Sequence, residues 1–440
     1  MQSTRLKLSF IIKKLTFNKM KKILFIFLFI FININVYSQW YLMNNLPIPF
    51  DSTLSDVYFV NSNTGWIVGD NGRIFMTVNG GTNWILKGSG TINSLYSIYF
   101  TNSQIGWIAG AGGTIVKTIN GGTSWVSQSS GTTNSLYSIC FINSLTGWIA
   151  AGKSIIKTSN AGTNWIMFYV GYTFNSIYFT DSQTGWGVGS EGTKYKTTDG
   201  GTDWMYQNES QMYNLSCVYF IDSQTGWIVG GDFGNHTGLI FKTVDGGTSW
   251  FNQTIASPLI DRLGAIRFKN SQTGWIIGDF GGYSGHIFKT VNGGNNWALQ
   301  TSATFPAPCS IFMIDLQTGW AVGGSPIVVG GGTILKTTNG GGVFISKISS
   351  NIPNKYNLSQ NFPNPFNPVT NINFDIPKNT YVKVKIFDIL GKEIETLVNE
   401  KLNPGTYEVT FNASQYPSGV YFYRLQAGDY NECKKMILIK

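Results

Sequence analysis

The chain has 440 residues, of which 15% are aromatic and 12% are charged, and its formal net charge is +9. Residues 1–39 carry seven basic and no acidic groups, whereas residues 40–348 carry fourteen of each kind. Nucleic-acid binding needs basic residues clustered in the folded part of a protein, so this distribution excludes nucleic acid as a partner.

The N-terminal segment has the pattern of a secretory signal peptide. Two lysines precede an apolar run of ten residues, and a small-residue cleavage site ends at Ser38. Ten residues are too few to span a bilayer, which disfavours the alternatives of a membrane anchor or a buried strand. We predict a signal peptide region over residues 1–38, with Met20 as an alternative start, and a mature chain that begins at Gln39.

The seven copies of the dipeptide Gly-Trp, spaced 38 to 48 residues apart, divide most of the chain into repeats. The second repeat reads "SIYFT", "GWIAG", "TIVKT" and "WVSQS", which are β-branched and aromatic runs separated by Asn, Ser and Gly. Four strands in about forty residues are typical of a β-propeller blade, whereas a helical solenoid would show 3.6-residue periodicity. We therefore predict an all-β chain with a seven-bladed β-propeller over residues 39–345.

An eight-residue box, "TVNGGTNW" in the first repeat, joins the third strand of each repeat to the fourth. Its Asn or Asp can hydrogen-bond nearby backbone amides, its glycine pair suits a turn, and its tryptophan opens the fourth strand. The box resembles the Asp-box of bacterial neuraminidase repeats. With the stretches "S-x-x-F-x-[DN]-S-x-T-G-W-x-x-G", residues 50–345 resemble the photosystem II stability/assembly-factor family, which implies a propeller that binds partners.

The seventh box, "TTNGGGVF", lacks the tryptophan, and its repeat has no evident fourth strand. The one tryptophan outside the boxes and the Gly-Trp dipeptides is Trp40, at the predicted mature N-terminus. An open ring would leave an unpaired strand edge. We predict that residues 40–43 pair with residues 333–337 and close the propeller as the outer strand of blade 7.

The C-terminal ninety residues have a different composition. Prolines and asparagines over residues 346–368 indicate a linker, and alternating apolar residues over 369–440 indicate a small Ig-like antiparallel β-sandwich. The motifs "NFPNPFNP", "KIFDILGKEIETL", "PSGVYFYRLQAG" and "KKMILIK" resemble the type A sorting domain of the type IX secretion system. The resemblance implies handling by that machinery and an extracellular or outer-membrane surface location in a Gram-negative bacterium; an Ig-like accessory domain is the alternative.

The connections between second and third strands are short in repeats 1 to 4 and longer in repeats 5 to 7. Variable loops on a rigid scaffold commonly bind ligands. These loops are the candidate ligand-binding site, and the alternative, which we favour, is ordinary turn chemistry with surface histidines. The candidate residues are Asp232, Phe233, His236, Asp279, Phe280 and Tyr283.

The cysteines show no C-x-x-C spacing, so we predict no metal site and no cofactor. They are Cys140, Cys217, Cys309 and Cys433.

A secreted sialidase-like or other glycoside hydrolase is the enzymatic alternative, because Asp-boxes occur in sialidases. A sialidase needs three converging arginines, and the repeats hold only Arg73, Arg262 and Arg267, with Glu191 and Glu209 as their only glutamates. Asp232 and Asp279 would have to serve as the carboxylate pair. We predict instead a non-catalytic, monomeric module that binds a protein or glycan.

A lysine recurs at one position of the third strand in six repeats, and Met76 replaces it in the first. Its aliphatic stem can pack on a neighbouring aromatic ring, with the ammonium group over the ring face. We predict this structural role rather than a functional ring of charge. The lysines are Lys117, Lys157, Lys196, Lys242, Lys289 and Lys336.

Overall fold

The computed structural model describes most of the chain after residue 39. The described residues are 40–43, 53–207, 213–232, 235–253, 255, 260–280, 284–302, 308–324, 332–338, 340–341, 345–349, 351–413 and 416–440. The predicted signal peptide lies outside them. Within these residues no helix is long and apolar enough to cross a membrane.

The all-β class predicted from the sequence is confirmed, and the described strands form four-stranded antiparallel sheets. We call the seven sheets of residues 41–337 blades 1 to 7. Blade 1 contains β2 (Leu54–Phe59), β3 (Gly65–Gly69), β4 (Ile74–Thr77) and β5 (Ile85–Lys87). Blade 2 contains β6 (Leu95–Phe100), β7 (Gly106–Gly110), β8 (Ile115–Thr118) and β9 (Val126–Gln128). Blade 3 contains β10 (Ser138–Phe141), β11 (Gly147–Ala151), β12 (Ser154–Thr158) and β13 (Ile166–Tyr169). Blade 4 contains β14 (Phe174–Phe179), β15 (Gly185–Gly189), β16 (Lys194–Thr197) and β17 (Met205–Tyr206).

The remaining blades follow the same order of strands. Blade 5 contains β18 (Asn214–Phe220), β19 (Gly226–Asp232), β20 (Thr237–Thr243) and β21 (Phe251–Gln253). Blade 6 contains β22 (Arg262–Phe268), β23 (Gly274–Phe280), β24 (Ser284–Thr290) and β25 (Ala298–Ser302). Blade 7 contains β26 (Pro308–Met313), β27 (Gly319–Gly324), β28 (Gly332–Thr337) and β1 (Tyr41–Leu42). Short 3-10 turns at Asp70–Gly72 and Ala111–Gly113 join the second and third strands of blades 1 and 2.

The box is a turn stabilised by its own side chains. In blade 2, Thr118 Oγ1 accepts a hydrogen bond from the Gly122 amide at 2.9 Å, and Asn120 Oδ1 accepts one from the Ser124 amide at 3.0 Å. Gly121 and Gly122 have φ of 66° and 76°, a region that glycine adopts without steric cost. The threonine and the Asn or Asp therefore satisfy amides that the turn removes from the sheet.

The core lies between neighbouring blades. Trp66 of blade 1 stacks on Phe100 of blade 2 with ring centroids 3.9 Å apart, and the box residue Trp125 meets the same phenylalanine edge-on at 5.9 Å. The equivalent phenylalanines of blades 1 to 6 each stack on a tryptophan of the preceding blade at 3.4–3.9 Å. Each box tryptophan thus completes a hydrophobic cluster to which two blades contribute.

The recurring lysine and the Gly-Trp tryptophan of one blade also bind the box of the next. Lys336 Nζ and Trp320 Nε1 both donate to the Gly80 carbonyl, at 2.7 and 3.3 Å. Lys117 Nζ donates to the Ala161 carbonyl at 2.9 Å. All six lysines lie over tryptophan rings, with Nζ 5.2–5.7 Å from the centroid. The predicted packing role of these lysines is confirmed, and we call this arrangement the inter-blade latch.

The N-terminal strand belongs to blade 7, where the sequence places it. In the register of β1 against β28, Tyr41 is opposite Lys336 and Leu42 is opposite Leu335. Trp40 is 1% exposed, and a Cβ on Gly341 of the seventh box would lie 2.8 Å from its Nε1. Trp40 therefore lies against the seventh box, as the box tryptophans do in other blades.

Two further sheets follow the propeller. One sheet contains β29 (Ile345–Ser349), β34 (Gly405–Asn412), β31 (Val369–Ile376) and β30 (Asn357–Leu358). The other contains β33 (Glu393–Leu402), β32 (Thr380–Phe387), β35 (Gly419–Ala427) and β36 (Tyr430–Leu438). Their apolar faces share one core, which includes Val384, Val409 and Tyr423.

The segment 346–368 differs from the linker that its composition predicts, because it contains most of β29 and all of β30. Phe366 is 2% exposed in the sandwich core, and Asn361 is 1% exposed. The Asn361 side chain donates to Thr370 Oγ1 at 2.9 Å, so the segment packs as part of the sandwich.

Candidate functional site

The hairpins of blades 5 and 6 extend beyond those of blades 1 to 4. Strands β19, β20, β23 and β24 have seven residues each, whereas their counterparts in blades 1 to 4 have four or five. Pairing continues to Asp232 opposite Thr237 in blade 5 and to Phe280 opposite Ser284 in blade 6. We call the surface formed by these hairpins and the start of β22 the long-hairpin face.

Only part of the predicted ligand site can be described. Phe233 and Tyr283 lie outside the described residues, and for Phe280 only the main chain is described, as the last residue of β23. Asp232, His236 and Asp279 are described in full.

Asp279 forms an ion pair that the sequence alone does not reveal. It lies opposite Arg262 in the register of β22 and β23, and Arg262 Nε and Nη2 both lie 3.3 Å from Asp279 Oδ2. The Asp279 side chain is 7% exposed and the Arg262 side chain 40%. The two guanidinium nitrogens hold one carboxylate oxygen at the edge of the face, which fixes the orientation of both groups.

His236 and Asp232 lie at the tip of the blade 5 hairpin. His236 Nδ1 is 3.3 Å from Asp261 Oδ1, and the histidine side chain is 73% exposed, so this pair contributes little to stability. The Asn235 amide group donates to Asp232 Oδ2 at 2.6 Å, which is ordinary turn chemistry.

His286 lies under the blade 6 hairpin and is 9% exposed. Burial lowers the pKa of His286 below its ordinary value, and the negative charge of Asp279 opposes that shift. Nδ1 is buried and makes no hydrogen bond in the described structure. A buried polar atom without a partner costs free energy. Nδ1 is therefore an unpaired nitrogen enclosed beneath the hairpin rather than a group exposed on the face.

Cys309 opens the next blade beside this cluster. Burial raises the pKa of the Cys309 thiol, and the positive charge of Arg262 opposes the shift. The thiol therefore stays protonated at neutral pH and behaves as a small apolar group.

The residues named for a sialidase occupy separate places. Arg73 precedes β4 in blade 1, Arg262 lies at the start of β22, and Arg267 lies five residues further along the same strand. Glu191 lies in a turn of blade 4 with φ of 57°, and Glu209 lies outside the described residues. Within the described ranges, no group of three or more His, Cys, Asp and Glu side chains could hold a metal ion.

A shallow depression of about 630 Å³ lies elsewhere, at the connection between blades 2 and 3. It is lined by Gly113 and residues 128–133, which carry no titratable side chain. None of the predicted site residues contributes to it.

Comparisons with known proteins agree with this architecture. Residues 207–362 match the family model described as photosynthesis system II assembly factor YCF48. Residues 360–440 match the model described as secretion system C-terminal sorting domain. No curated protein sequence matches the chain.

Solved structures show the fold at low sequence identity. A structure of YCF48 bound to D1 peptide is 18% identical, with a TM-score of 0.55 over 68% of this chain and 96% of that one. YCF48 from Cyanidioschyzon merolae gives 18% identity and a TM-score of 0.55 over 68% of this chain and 98% of that one. The extracellular domain of a putative hybrid two component system from B. thetaiotaomicron is 11% identical, with a TM-score of 0.52 over 91% of this chain and 57% of that one. The chain therefore combines a propeller similar to YCF48 with a C-terminal segment that matches a secretion system sorting domain.

Proposed function

We propose that this protein is a secreted, non-catalytic binding propeller whose partner is a protein segment held on the long-hairpin face. The sorting domain at residues 360–440 supports handling by the type IX secretion machinery. The proposal includes release or display outside the outer membrane, where the propeller meets its partner.

The long-hairpin face is the observation that carries the proposal. Blades 5 and 6 depart from the repeat by lengthening the hairpins at one surface while their remaining strands keep the common pattern. The face combines the Arg262–Asp279 pair, the exposed His236 and the buried His286 Nδ1. Paired charges beside an exposed imidazole suit the backbone and side chains of a peptide.

The neighbouring YCF48 structure supports a peptide as the first ligand class to test, since that propeller was solved with a bound peptide. Non-catalytic action is favoured by the state of the carboxylates. Asp279 is held by Arg262, and Asp232 is held by the turn around Asn235. Both carboxylates are thus already engaged by neighbouring side chains of the protein, which favours a positioning role over catalysis.

The test is selection of a random peptide library displayed on phage against the purified protein. Enriched peptides are then measured against a variant in which residues 231–238 and 279–285 are each replaced by the short turn Asp70–Gly72 of blade 1. The matched control substitutes Ser127→Ala and Ser129→Ala on the outer part of blade 2. We expect selected peptides to lose binding to the shortened-hairpin variant and to keep it for the control.

Equal binding to all three proteins would refute the location of the site, and failure to enrich any peptide would refute the ligand class. A sialidase and glycosidase substrate panel is run in parallel. Turnover that disappears in Asp279→Asn would refute the non-catalytic role.

A further inference from the structure

The innermost strands of the seven blades surround a central channel, and their inward-facing residues form successive levels along it. We call the first level, nearer the long-hairpin face, the hydroxyl level and the second the aromatic level. The hydroxyl level consists of Asp56, Ser97, Ser138, Ser176, Cys217, Ala265 and Ser310. The aromatic level consists of Tyr58, Tyr99, Cys140, Tyr178, Tyr219, Arg267 and Phe312.

Contacts around the aromatic level show that these side chains meet at the axis. The Tyr58 ring lies 4.9 Å from the Phe312 ring and 5.5 Å from the Tyr99 ring. On the other side, the Tyr178 and Tyr219 rings are 5.2 Å apart, and the Arg267 guanidinium lies 5.4 Å from the Tyr219 ring. Cys140 has the smallest side chain of the level and lies between Tyr99 and Tyr178 in the order of the blades.

Asp56, the one acidic side chain of the two levels, is engaged in hydrogen bonds that join neighbouring blades. In the hydroxyl level, a side chain of one blade accepts a hydrogen bond from a backbone amide of the next, as Ser97 does from Ile139 at 3.3 Å. Asp56 has this role between blades 1 and 2, accepting from the Ile98 amide at 2.9 Å. Its other oxygen accepts from Ser310 Oγ at 2.6 Å, across the joint between blades 7 and 1.

Only some of the hydrogen-bond donors of the Arg267 guanidinium have partners within the protein. Nη1 donates to the Ile266 carbonyl at 2.8 Å and to Cys217 Sγ at 3.6 Å. In the described structure, Nε and Nη2 make no hydrogen bond, and no ion pair within 4.0 Å joins Arg267 to Asp56. Burial opposes the charge on Arg267, but neighbouring groups, Asp56 among them, more than offset that effect and raise its pKa above the ordinary value. Nε and Nη2 remain donors that an anion could engage.

Two hydroxyl groups of the aromatic level are also available. Tyr58 and Tyr219 donate to backbone carbonyls, whereas Tyr99 and Tyr178, on the blades either side of Cys140, make no hydrogen bond within the described ranges. Burial raises the pKa of both Tyr99 and Tyr178, so their hydroxyl groups stay protonated and can donate.

Lys269 is the basic residue that follows Arg267 in blade 6. It is exposed and lies two residues beyond Arg267, on the same side of the chain, at the end of the channel opposite the long-hairpin face. The corresponding residues of the other six blades are Val60, Thr101, Ile142, Thr180, Ile221 and Ile314. Lys269 is therefore the one charged residue at this position of the seven blades, and the turns that follow in blades 4, 5 and 7 carry Asp181, Asp222 and Asp315 at the same end.

We propose that the central channel binds a small oxyanion, a carboxylate or a sulfate-like group, between Arg267 and the hydroxyl groups of Tyr99 and Tyr178. The free Nε and Nη2 edge of the guanidinium matches two oxygens of one anion. This site is separate from the long-hairpin face and does not depend on the partner proposed there.

The test is isothermal titration of the purified protein with sodium sulfate and with sodium acetate, in a chloride-free buffer at constant ionic strength. Arg267→Tyr installs the side chain that four other blades carry at this position, so we expect it to fold. Arg73→Gln removes the same charge from blade 1 and is the matched control. We expect saturable 1:1 binding that is about 10- to 100-fold weaker in Arg267→Tyr and unchanged in Arg73→Gln.

Diffraction from crystals soaked in selenate gives a readout independent of stability, with an anomalous peak expected beside Arg267. If Arg267→Tyr fails to fold, Arg267→Gln takes its place in the titration. The absence of saturable binding to the wild-type protein would overturn the proposal. So would equal loss in Arg267→Tyr and Arg73→Gln, or a selenate peak only at the outer surface.

Discussion

Replacing Trp40 by alanine tests the closure of the propeller by its own N-terminus. Trp40 is 1% exposed and packs against the seventh box and the cluster that includes Met313 and Leu335. Burying a tryptophan removes about 150–250 Å² from water, which corresponds to about 4–6 kcal/mol at about 25 cal/mol per Å². Measured Trp→Ala costs in cores are about 3–5 kcal/mol, so we expect Trp40→Ala to lower the free energy of unfolding by about that amount.

Urea denaturation followed by far-UV circular dichroism measures this change. Leu42→Ala is the control on the same strand, because Leu42 is 53% exposed and its loss should change stability by about 0.5 kcal/mol or less. Trp250→Ala removes a box tryptophan from blade 5 and should cost about as much as Trp40→Ala. If Trp40→Ala and Leu42→Ala prove equally mild, the N-terminal strand does not close the ring and the reasoning fails.

Three further predictions concern the latch and the long-hairpin face. Met76→Lys should raise the melting temperature by supplying the latch that blade 1 lacks, and Lys117→Met should lower it, both measured by differential scanning calorimetry. Burial lowers the pKa of Lys289 to about 8. Between pH 8 and the unfolded-state pKa of 10.5 the unfolded chain binds more protons than the folded one, so the free energy of unfolding should rise with pH in this range. Lys289→Met should remove this rise in urea titrations repeated at several pH values. Asp279→Asn should lower the pKa of His286 further, since the Asp279 charge raises it, and NMR titration of the imidazole measures the shift.

The strands and the box could be predicted because seven copies of one local pattern reinforce each other. The position of Trp40 followed from counting, since the seventh box lacks a tryptophan and one tryptophan was left over. The latch could not be predicted in the same way. A lysine in a third strand and a glycine carbonyl in the next box, such as Lys336 and Gly80, are 256 residues apart in sequence, and only the ring brings them together.

The charged pairs of the long-hairpin face were also beyond sequence reasoning. Arg262 and Asp279 are cross-strand neighbours only because of a register shift between Leu263 and Ala265 in β22. Sequence spacing does not reveal such a bulge. The composition of residues 346–368 predicted a linker, whereas the segment packs in the sandwich. Prolines and asparagines indicate turns, but they do not say whether a segment packs against a domain.

The strictness of the repeat has a physical cause that also explains where function can lie. Each blade packs against the box of the next, through a tryptophan in all seven blades and a lysine in six, so each copy must match both neighbours and its interface residues cannot vary freely. The second-to-third hairpins and the inward positions of the innermost strands take no part in the latch. Blades 5 and 6 depart from the repeat at the hairpins, and blade 6 departs at Arg267. Residues that differ from the repeat only at positions outside the latch indicate a constraint other than folding. Met76 differs from the repeat inside the latch, and we therefore expect it to lower stability.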